Sequence, residues 1–348
     1  MGILRFGLAL VVFLGHSSAT WNLPISSMDA VRGFYVISGF LMAMVLADPT
    51  RYKTFRQFFL SRFLRLWPCF AVVTLLTLAA RLIAGSIIIT EAKTLGLPAI
   101  LMVILANGTM LTSDLLCFFQ WDTSPVLSWS SAEQSLVHFL MIPQAWTLGI
   151  ELSFYGLAFF IIRNKYVFFL LLLLTIVSNL LVWYLYGFAI DPISYRFFPA
   201  ELIYFFFGII LFYVNKYLSH FTPRAIFYFF ITGFVIFLFF CCSHINVYQA
   251  PYLFPFTVSL MLPFLSKLDK MKFISFLGHV SFPFYLVHKL VIWAFILIFP
   301  SFNSLQLATF QFFVSFFVSI FMILFLISPL EPLRKRVLGF GFWFFLVC

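Results

Sequence analysis

The sequence predicts an all-α integral membrane protein, a bundle of about ten transmembrane helices, and three observations lead to this class. First, 64% of the 348 residues are hydrophobic and only 9% are charged, against about 25% charged in soluble domains. Second, the apolar segments are about 20 residues long, the length that a helix needs to cross a bilayer. Third, short polar loops separate them, which favours helices over a β-barrel. We expect one membrane domain over residues 1–348, without a fused soluble domain.

Ten apolar segments are clear candidates for membrane crossings. They cover residues 3–20, 31–48, 66–86, 146–162, 166–187, 195–214, 225–243, 247–265, 273–298 and 304–327. A further segment, 95–117, is less apolar because it contains Pro98, Asn107, Gly108 and Asp114.

The basic residues predict how these helices are oriented. The net charge is +10, and in membrane proteins lysine and arginine collect in cytoplasmic loops. If the N-terminus is cytoplasmic and segment 95–117 does not cross as a single helix, all the basic clusters lie on the cytoplasmic side. These clusters are Arg51–Arg65, Arg163/Lys165, Lys216/Arg224, Lys267–Lys272 and Arg334–Arg336. Both termini are then cytoplasmic, and the external segment 95–117 is re-entrant or lies at the interface. The alternative, one crossing by 95–117, turns the C-terminal basic clusters outward.

The first segment carries two polar groups that a lipid-spanning helix does not need. Eleven residues of α-helix place Arg5 and His16 within about 20° of one another and about 16 Å apart along the axis. The segment also resembles a secretory signal, with small residues at 17–19. Cleavage there would remove both polar groups, so we expect the segment to be retained. A neutral imidazole is a plausible general base, although His16 could also be a hydrogen-bonded packing residue.

Two arginines lie at the predicted cytoplasmic side. Arg62 and Arg65 are three residues apart in FLSRFLRLWP and therefore share a helix face. Paired guanidinium groups bind phosphates with bidentate geometry. The alternative is an anchor for lipid headgroups.

Other ionisable residues fall at the external ends of predicted helices. Asp29 and Arg32 are three residues apart; they indicate an acceptor or supporting polar site, or they could simply pair with one another. Glu151 lies in WTLGIELSFY, where a lone carboxylate is costly unless it is protonated or paired. It could orient His16, bind a substrate hydroxyl or pair with an arginine.

A third polar group lies late in the chain. Ser281, Tyr285 and His288 share one helical face, with Pro283 in the same helix. They indicate an acceptor or supporting polar site, or a polar packing seam.

The predicted external loop 118–145 is the longest polar loop, and such loops often carry substrate contacts. An aromatic belt at the membrane interface is the alternative for its tryptophans. Its notable residues are Trp121, Asp122, Trp129, Glu133 and His138. The five cysteines include no C-x-x-C pair, so we expect neither a disulfide framework nor a metal site.

Five stretches in order carry a resemblance over nearly the whole chain. They are Arg5 followed by His16, AVRGFYVISGFLM at 30–42, SRFLRLWP at 61–68, WTLGIELSFY at 146–155 and FLGHVSFPFYLVH at 276–288. With these motifs the chain resembles the bacterial membrane acyltransferase family 3, whose members O-acylate cell-surface glycans and Nod-factor-type lipo-oligosaccharides. Leu152 stands where the family usually has a second acidic residue, and Phe282 where it usually has tyrosine.

The resemblance implies an acyl-CoA donor, usually acetyl-CoA, and a hydroxyl of an exported or lipid-linked glycan as acceptor. It implies a catalytic role for His16 supported by Arg5, and donor binding by Arg62 and Arg65. The expected location is the bacterial inner membrane. In the mechanism that we expect, His16 takes the hydroxyl proton while Glu151 orients the base or the sugar, or else His16 itself becomes acylated. The alternative function is transport of a glycan or a lipid-linked sugar.

Overall fold

The computed structural model describes residues 1–122, 124, 135–187, 191–218, 225–243, 251–299 and 302–337. These residues form helices joined by loops and short 3-10 turns, with one isolated β-bridge between Gln120 and Ser135. The α-helices are α1 (Gly2–His16), α2 (Ser27–Leu46), α3 (Phe55–Ile83), α4 (Ile87–Glu91), α5 (Leu97–Thr109), α6 (Trp146–Arg163), α7 (Lys165–Tyr186), α8 (Ile193–Arg196), α9 (Phe198–Leu218), α10 (Ala225–Ser243), α11 (Leu253–Leu268), α12 (Lys272–Ile298), α13 (Ser304–Met322) and α14 (Ser328–Val337).

The membrane-protein prediction is confirmed by the length and composition of these helices. In the described part of the chain, seven helical segments are long and apolar enough to cross a membrane. Shorter apolar helices, among them α1, α10 and α11, occupy three of the other predicted crossings. The exact number of crossings and the side of the termini stay predictions.

The predicted boundary at residues 65 and 66 is wrong, because helix α3 begins earlier. Thr54 caps the helix through a hydrogen bond from the Gln57 amide, and the helix runs from Phe55 through Pro68 to Ile83. Arg62 and Arg65 therefore lie on a helix, as their spacing predicts, and this helix is continuous with the apolar segment that follows.

Helix α5 is too short to cross the hydrocarbon core by itself. It has 13 residues, about 20 Å of rise, which is less than the thickness of the hydrocarbon core. It ends at Met110, whose φ is 65°. The Asn107 side chain then donates to the Phe139 carbonyl at 3.0 Å and accepts from the Met141 amide at 2.7 Å. A short helix tied to the loop before α6 is consistent with a segment that is re-entrant or lies at the interface.

Helices α1 and α12 run in the same direction. Gly2 lies against the backbone of Ile274 and Gly278, and His16 lies against His288 at the other end. Seven other predicted membrane crossings lie between α1 and α12 in the chain. If all seven cross the membrane, α1 and α12 can be parallel only when segment 95–117 does not cross as well. The orientation thus supports the re-entrant alternative over the single crossing.

Close helix packing fixes α2 against α9. A Cβ atom added at Gly39 would lie 2.0 Å from the Phe205 carbonyl oxygen, and one at Gly208 would lie 2.0 Å from that of Val36. Small residues allow such backbone contact between membrane helices. The contact holds α2, and with it Ser38, beside the centre of the bundle.

Candidate active site

Two cavities lie along helix α1, one at each of its polar residues. The inner cavity, about 40 Å³ in volume, contains the Arg5 side chain. Its lining is Arg5, Val31, Phe34, Tyr35, Ser38, Thr147, Leu148, Glu151, Ser281, Phe282 and Tyr285. The outer cavity, about 600 Å³, contains His16. Its lining is Val12, His16, Ser27, Met28, Val31, Arg81, Ile88, Val137, His138, Pro143, Gln144, Trp146, Thr147, Asp191, Tyr195, Arg196, Tyr285 and Lys289.

A hydrogen-bond chain determines the protonation pattern of His16. The Nδ1 of His288 lies 2.8 Å from the Tyr285 carbonyl oxygen, and because a carbonyl only accepts, this nitrogen carries the hydrogen of the neutral ring. The Nε2 of His288 is then an acceptor, and it lies 3.2 Å from Nδ1 of His16. His16 therefore donates through Nδ1, which leaves its Nε2 without a hydrogen. This unprotonated nitrogen is the atom that can accept a proton or attack a carbonyl.

The polar floor of the inner cavity comes from α2 and α6. The Ser38 hydroxyl donates to Glu151 at 2.7 Å, and the Tyr155 hydroxyl donates to the same carboxylate oxygen. The expectation that Glu151 orients His16 is not met, because its hydrogen bonds run to these two hydroxyls. Glu151 of α6 lies at the same depth as Arg5, since both line the inner cavity. The sequence pattern predicted a position nearer the external side. The buried Nε of Arg5 has no hydrogen-bond partner and faces this cavity.

Tyr285, Thr147 and Val31 line both cavities and therefore lie between them. The hydroxyls of Tyr285 and Thr147 are 2.8 Å apart. Gln144 holds this region of α12 in place, because its Nε2 donates to the carbonyl oxygens of Tyr285 and Leu286 at 2.9 and 3.1 Å. The Tyr285–Thr147 hydrogen bond thus joins two residues that separate the cavities.

Ser281, Tyr285 and His288 share one face of α12, as predicted, but they lie at three different depths along the helix. Ser281 donates to the Gly278 carbonyl and lines the inner cavity. Tyr285 lies between the cavities, and His288 contacts His16. One turn of α12 separates each level from the next.

The two predicted donor arginines lie next to the inner cavity without lining it. Arg62 is buried under the rings of Tyr52 and Phe58, and its Nη2 donates to the Tyr52 hydroxyl at 3.4 Å. Arg62 and Arg65 both lie within electrostatic range of the Tyr155 phenol. That phenol is the group that binds Glu151, so the arginines adjoin the floor of the cavity.

Asp29 and Arg32 do not pair, which corrects the simplest expectation for them. Asp29 forms a capping box with Ser26 at the start of α2. Arg32 binds Glu201 of α9 at 3.0 Å in a fully buried salt bridge, and its guanidinium lies between the rings of Tyr195 and Tyr204. Neither residue lines the inner or the outer cavity, and their contacts are those of residues that support the bundle.

The external loop is described in part. His138 lines the outer cavity and lies 3.3 Å from Glu91, while Trp121 packs against Phe139. Asp122 is exposed and binds the Ser124 amide at 2.9 Å. The predicted residues Trp129 and Glu133 lie outside the described residues.

Several residues at the site were not singled out in the sequence. Most of them lie in a loop or at a helix end, and Lys289 lies inside α12 next to His288, but none belongs to a motif or a spacing pattern that marks it. They are Gln144, Asp191, Arg196, Glu201 and Lys289; Arg81 was noticed but carried no pattern.

Comparison with known proteins gives one match. A family model described as an acyltransferase domain matches residues 1–329. No curated protein and no solved structure matches the chain significantly. The matched range includes both cavities and all the candidate site residues.

Proposed function

The chain belongs to the acyltransferase 3 family, and on that premise we propose that it moves an acyl group from acyl-CoA to a glycan hydroxyl. The donor that we propose is acetyl-CoA, and the acceptor is a cell-surface or exported glycan, free or lipid-linked. The proposed location is the bacterial inner membrane. The chain is in any case an acyltransferase with several apolar helices, as its family and its composition require.

The observation that carries the proposal is the pair of cavities that share Tyr285, Thr147 and Val31. An enzyme that joins a cytoplasmic donor to an exported acceptor needs one compartment on each side of a reactive group. In the proposed arrangement, the phosphates of the donor bind near Arg62 and Arg65. The thioester arm extends past Arg5 and Glu151 toward His16, and the glycan occupies the outer cavity.

The reaction is a direct acyl transfer. His16 Nε2 takes the proton of the glycan hydroxyl while that oxygen forms a bond to the thioester carbonyl carbon. The carbon–sulfur bond then breaks, and CoA leaves as a thiol with the proton from His16. In the variant with a covalent intermediate, the same Nε2 attacks the thioester first. His288 orients the imidazole for either route, because its acceptor nitrogen keeps the His16 hydrogen on Nδ1.

Access of the donor requires a movement at the shared residues. The inner cavity has a volume of about 40 Å³, enough for about three waters, and Tyr285 and Thr147 separate it from the outer cavity. The Tyr285 and Thr147 hydroxyls, 2.8 Å apart, must therefore separate when the arm reaches His16. Because the two hydroxyls stay in contact until the donor binds, water and small solutes do not pass between the cavities in its absence.

The test of this function is transfer of label from acetyl-CoA. Purified protein in nanodiscs is incubated with acetyl-CoA labelled in the acetyl group and with a total glycan extract of the outer cell surface. We expect labelled glycan and free CoA thiol from the wild type. His16→Ala lowers transfer at least about 100-fold because general base catalysis is lost, while acetyl-CoA still binds. Transfer at the wild-type rate by His16→Ala, or no CoA release by the wild type, contradicts the proposal.

The same experiment separates transfer from transport. A transporter of glycans or lipid-linked sugars leaves the thioester of acetyl-CoA intact. The family favours the transferase, and nothing in the fold favours the transporter.

A further inference from the structure

The outer cavity contains two cations that acyl transfer, as proposed above, does not use. Two other basic residues on its wall have acidic partners: Arg196 binds Asp191 at 2.7 Å, and His138 lies 3.3 Å from Glu91. Arg81 and Lys289 differ. In the described part of the chain, no carboxylate lies within ion-pair distance of either.

Arg81 and Lys289 reach this cavity from separate helices. Arg81 lies in the last turn of α3, and Lys289 directly follows His288 on α12. Both side chains are half-buried, and Nη1 of Arg81 is buried without a hydrogen-bond partner. A cation held in a low-dielectric site without a partner is costly. Two such cations in one cavity are therefore a feature that packing alone does not explain.

The positive-inside rule does not account for them either. That rule places unpaired cations at the cytoplasmic side, where they contact anionic headgroups. Arg81 and Lys289 share the His16 cavity, at the opposite end of α1 from Arg5. The predicted external loops are poor in cations, so these two stand out against their surroundings.

We propose that Arg81 and Lys289 form an anion subsite for the acceptor. The acceptor then carries a carboxylate or phosphate close to the hydroxyl that is acylated. Guanidinium binds either group through two parallel hydrogen bonds, and the ammonium adds a point charge. This inference rests on the proposed function, because it names the chemistry of the glycan that enters the outer cavity.

The test measures equilibrium binding, so it does not depend on turnover. The wild-type protein in nanodiscs is titrated with two matched pairs of ligands, one for each source of the anion. The first pair is glucuronosyl-glucose and cellobiose, which tests a sugar carboxylate. The second pair is farnesyl phosphate and farnesol, which tests the phosphate of a lipid carrier. Trp146 lines the cavity, and its fluorescence is one reporter of occupancy.

We expect the anionic member of one pair to bind at least about tenfold more tightly than its neutral partner. Arg81→Gln with Lys289→Gln reduces that preference to less than about threefold. Lys93→Gln is the matched control, because Lys93 is an exposed cation of the same predicted external side that does not line the cavity; it keeps the preference.

The pair that responds identifies the source of the anion. The proposal is overturned if neither pair shows a charge preference, or if the double variant keeps it. Either failure leaves acyl transfer intact as a function, since labelled acetyl-CoA turnover tests that separately. Absence of turnover, in contrast, refutes the proposed function whatever the anions do.

Discussion

At the scale of single residues, His16 is held by an unusual partner. Many catalytic imidazoles are oriented by a carboxylate, whereas His16 is oriented by a second histidine that is itself fixed by a backbone carbonyl. His288 is completely buried, so its ring cannot turn freely. The arrangement sets the tautomer of His16 without placing a negative charge beside it.

His288 is therefore a positioning residue whose loss we expect to show in kcat. His288→Ala lowers kcat about tenfold to 100-fold, the range for partners that orient functional imidazoles in metal sites. His288→Gln recovers part of the loss, because an amide can donate to the Tyr285 carbonyl and accept from His16. The KM for acetyl-CoA and the thermal unfolding temperature serve as controls. A purely structural role predicts equal losses for both variants, with a lower unfolding temperature and an unshifted pH profile of kcat.

The donor arginines are tested through affinity for acyl-CoA. Arg62→Ala with Arg65→Ala removes two guanidinium groups from the proposed phosphate site, and we expect acetyl-CoA to bind about tenfold to 100-fold more weakly. The matched control is Lys53→Ala with Arg56→Ala, which removes two exposed cations from the same end of α3.

Since Arg62 is buried, the single variant Arg65→Ala is measured as well, and it should weaken binding while leaving the unfolding temperature unchanged. Unchanged affinity in the double variant, or equal loss in the control, refutes the phosphate role.

Some residue-scale features could be predicted and others could not. The shared face of Arg5 and His16 follows from helix geometry alone, and the structure gives each residue its own cavity. The Arg32–Glu201 bridge joins residues 169 positions apart, and no local pattern in the sequence relates them. Glu151 was assigned to the external level because depth was counted from the loops. The contact with Ser38 of α2 places it lower.

At the scale of helices, alignment between neighbours brings the site together. The parallel pair α1 and α12 sets His16 beside His288, while α2 brings Ser38 to Glu151 of α6. The position of α2 depends in turn on its contact with α9, where backbone meets backbone at Gly39 and Gly208. A sequence gives the helices and their apolar lengths, but it does not give which helices touch.

Gly208→Leu tests whether this helix contact supports the site. The added side chain would meet the Val36 carbonyl at 2.0 Å from its Cβ, and because this neighbour is backbone, the helices must separate. We expect a loss of about 1–3 kcal/mol or more in stability, seen as a lower unfolding temperature, together with a loss of transfer.

Gly156→Leu is the matched control, because a Cβ there meets nothing within 4 Å. Equal stability of the two variants contradicts the role assigned to the α2–α9 contact.

At the scale of the whole molecule, two adjacent cavities share Tyr285, Thr147 and Val31 near helix α1. The sequence predicts an all-α membrane bundle, and composition suffices for this because few other folds tolerate so few charges. It did not predict the cavities. Their walls combine α1, α2, α3, α4, α6, α8 and α12 with residues of the connecting loops, among them Pro143 and Gln144, so they depend on the complete packing.

The central proposal concerns the two sides of the membrane. In the mechanism that we propose, the donor reaches His16 through the inner cavity, from the side of Arg5, Arg62 and Arg65, and the acceptor reaches it through the outer cavity. A membrane enzyme with both substrates on one side would not need a second cavity that adjoins the cavity of the reactive histidine. Sidedness therefore distinguishes this arrangement from an ordinary interfacial transferase.

The most direct measurement uses sealed inside-out membrane vesicles that contain the protein. The glycan acceptor is trapped in the lumen, and acetyl-CoA labelled in the acetyl group is added outside, where the predicted cytoplasmic face lies. We predict labelled glycan in the lumen with wild type and none with His16→Ala, while CoA stays outside. Labelling only when donor and acceptor share one side of the membrane would contradict the account.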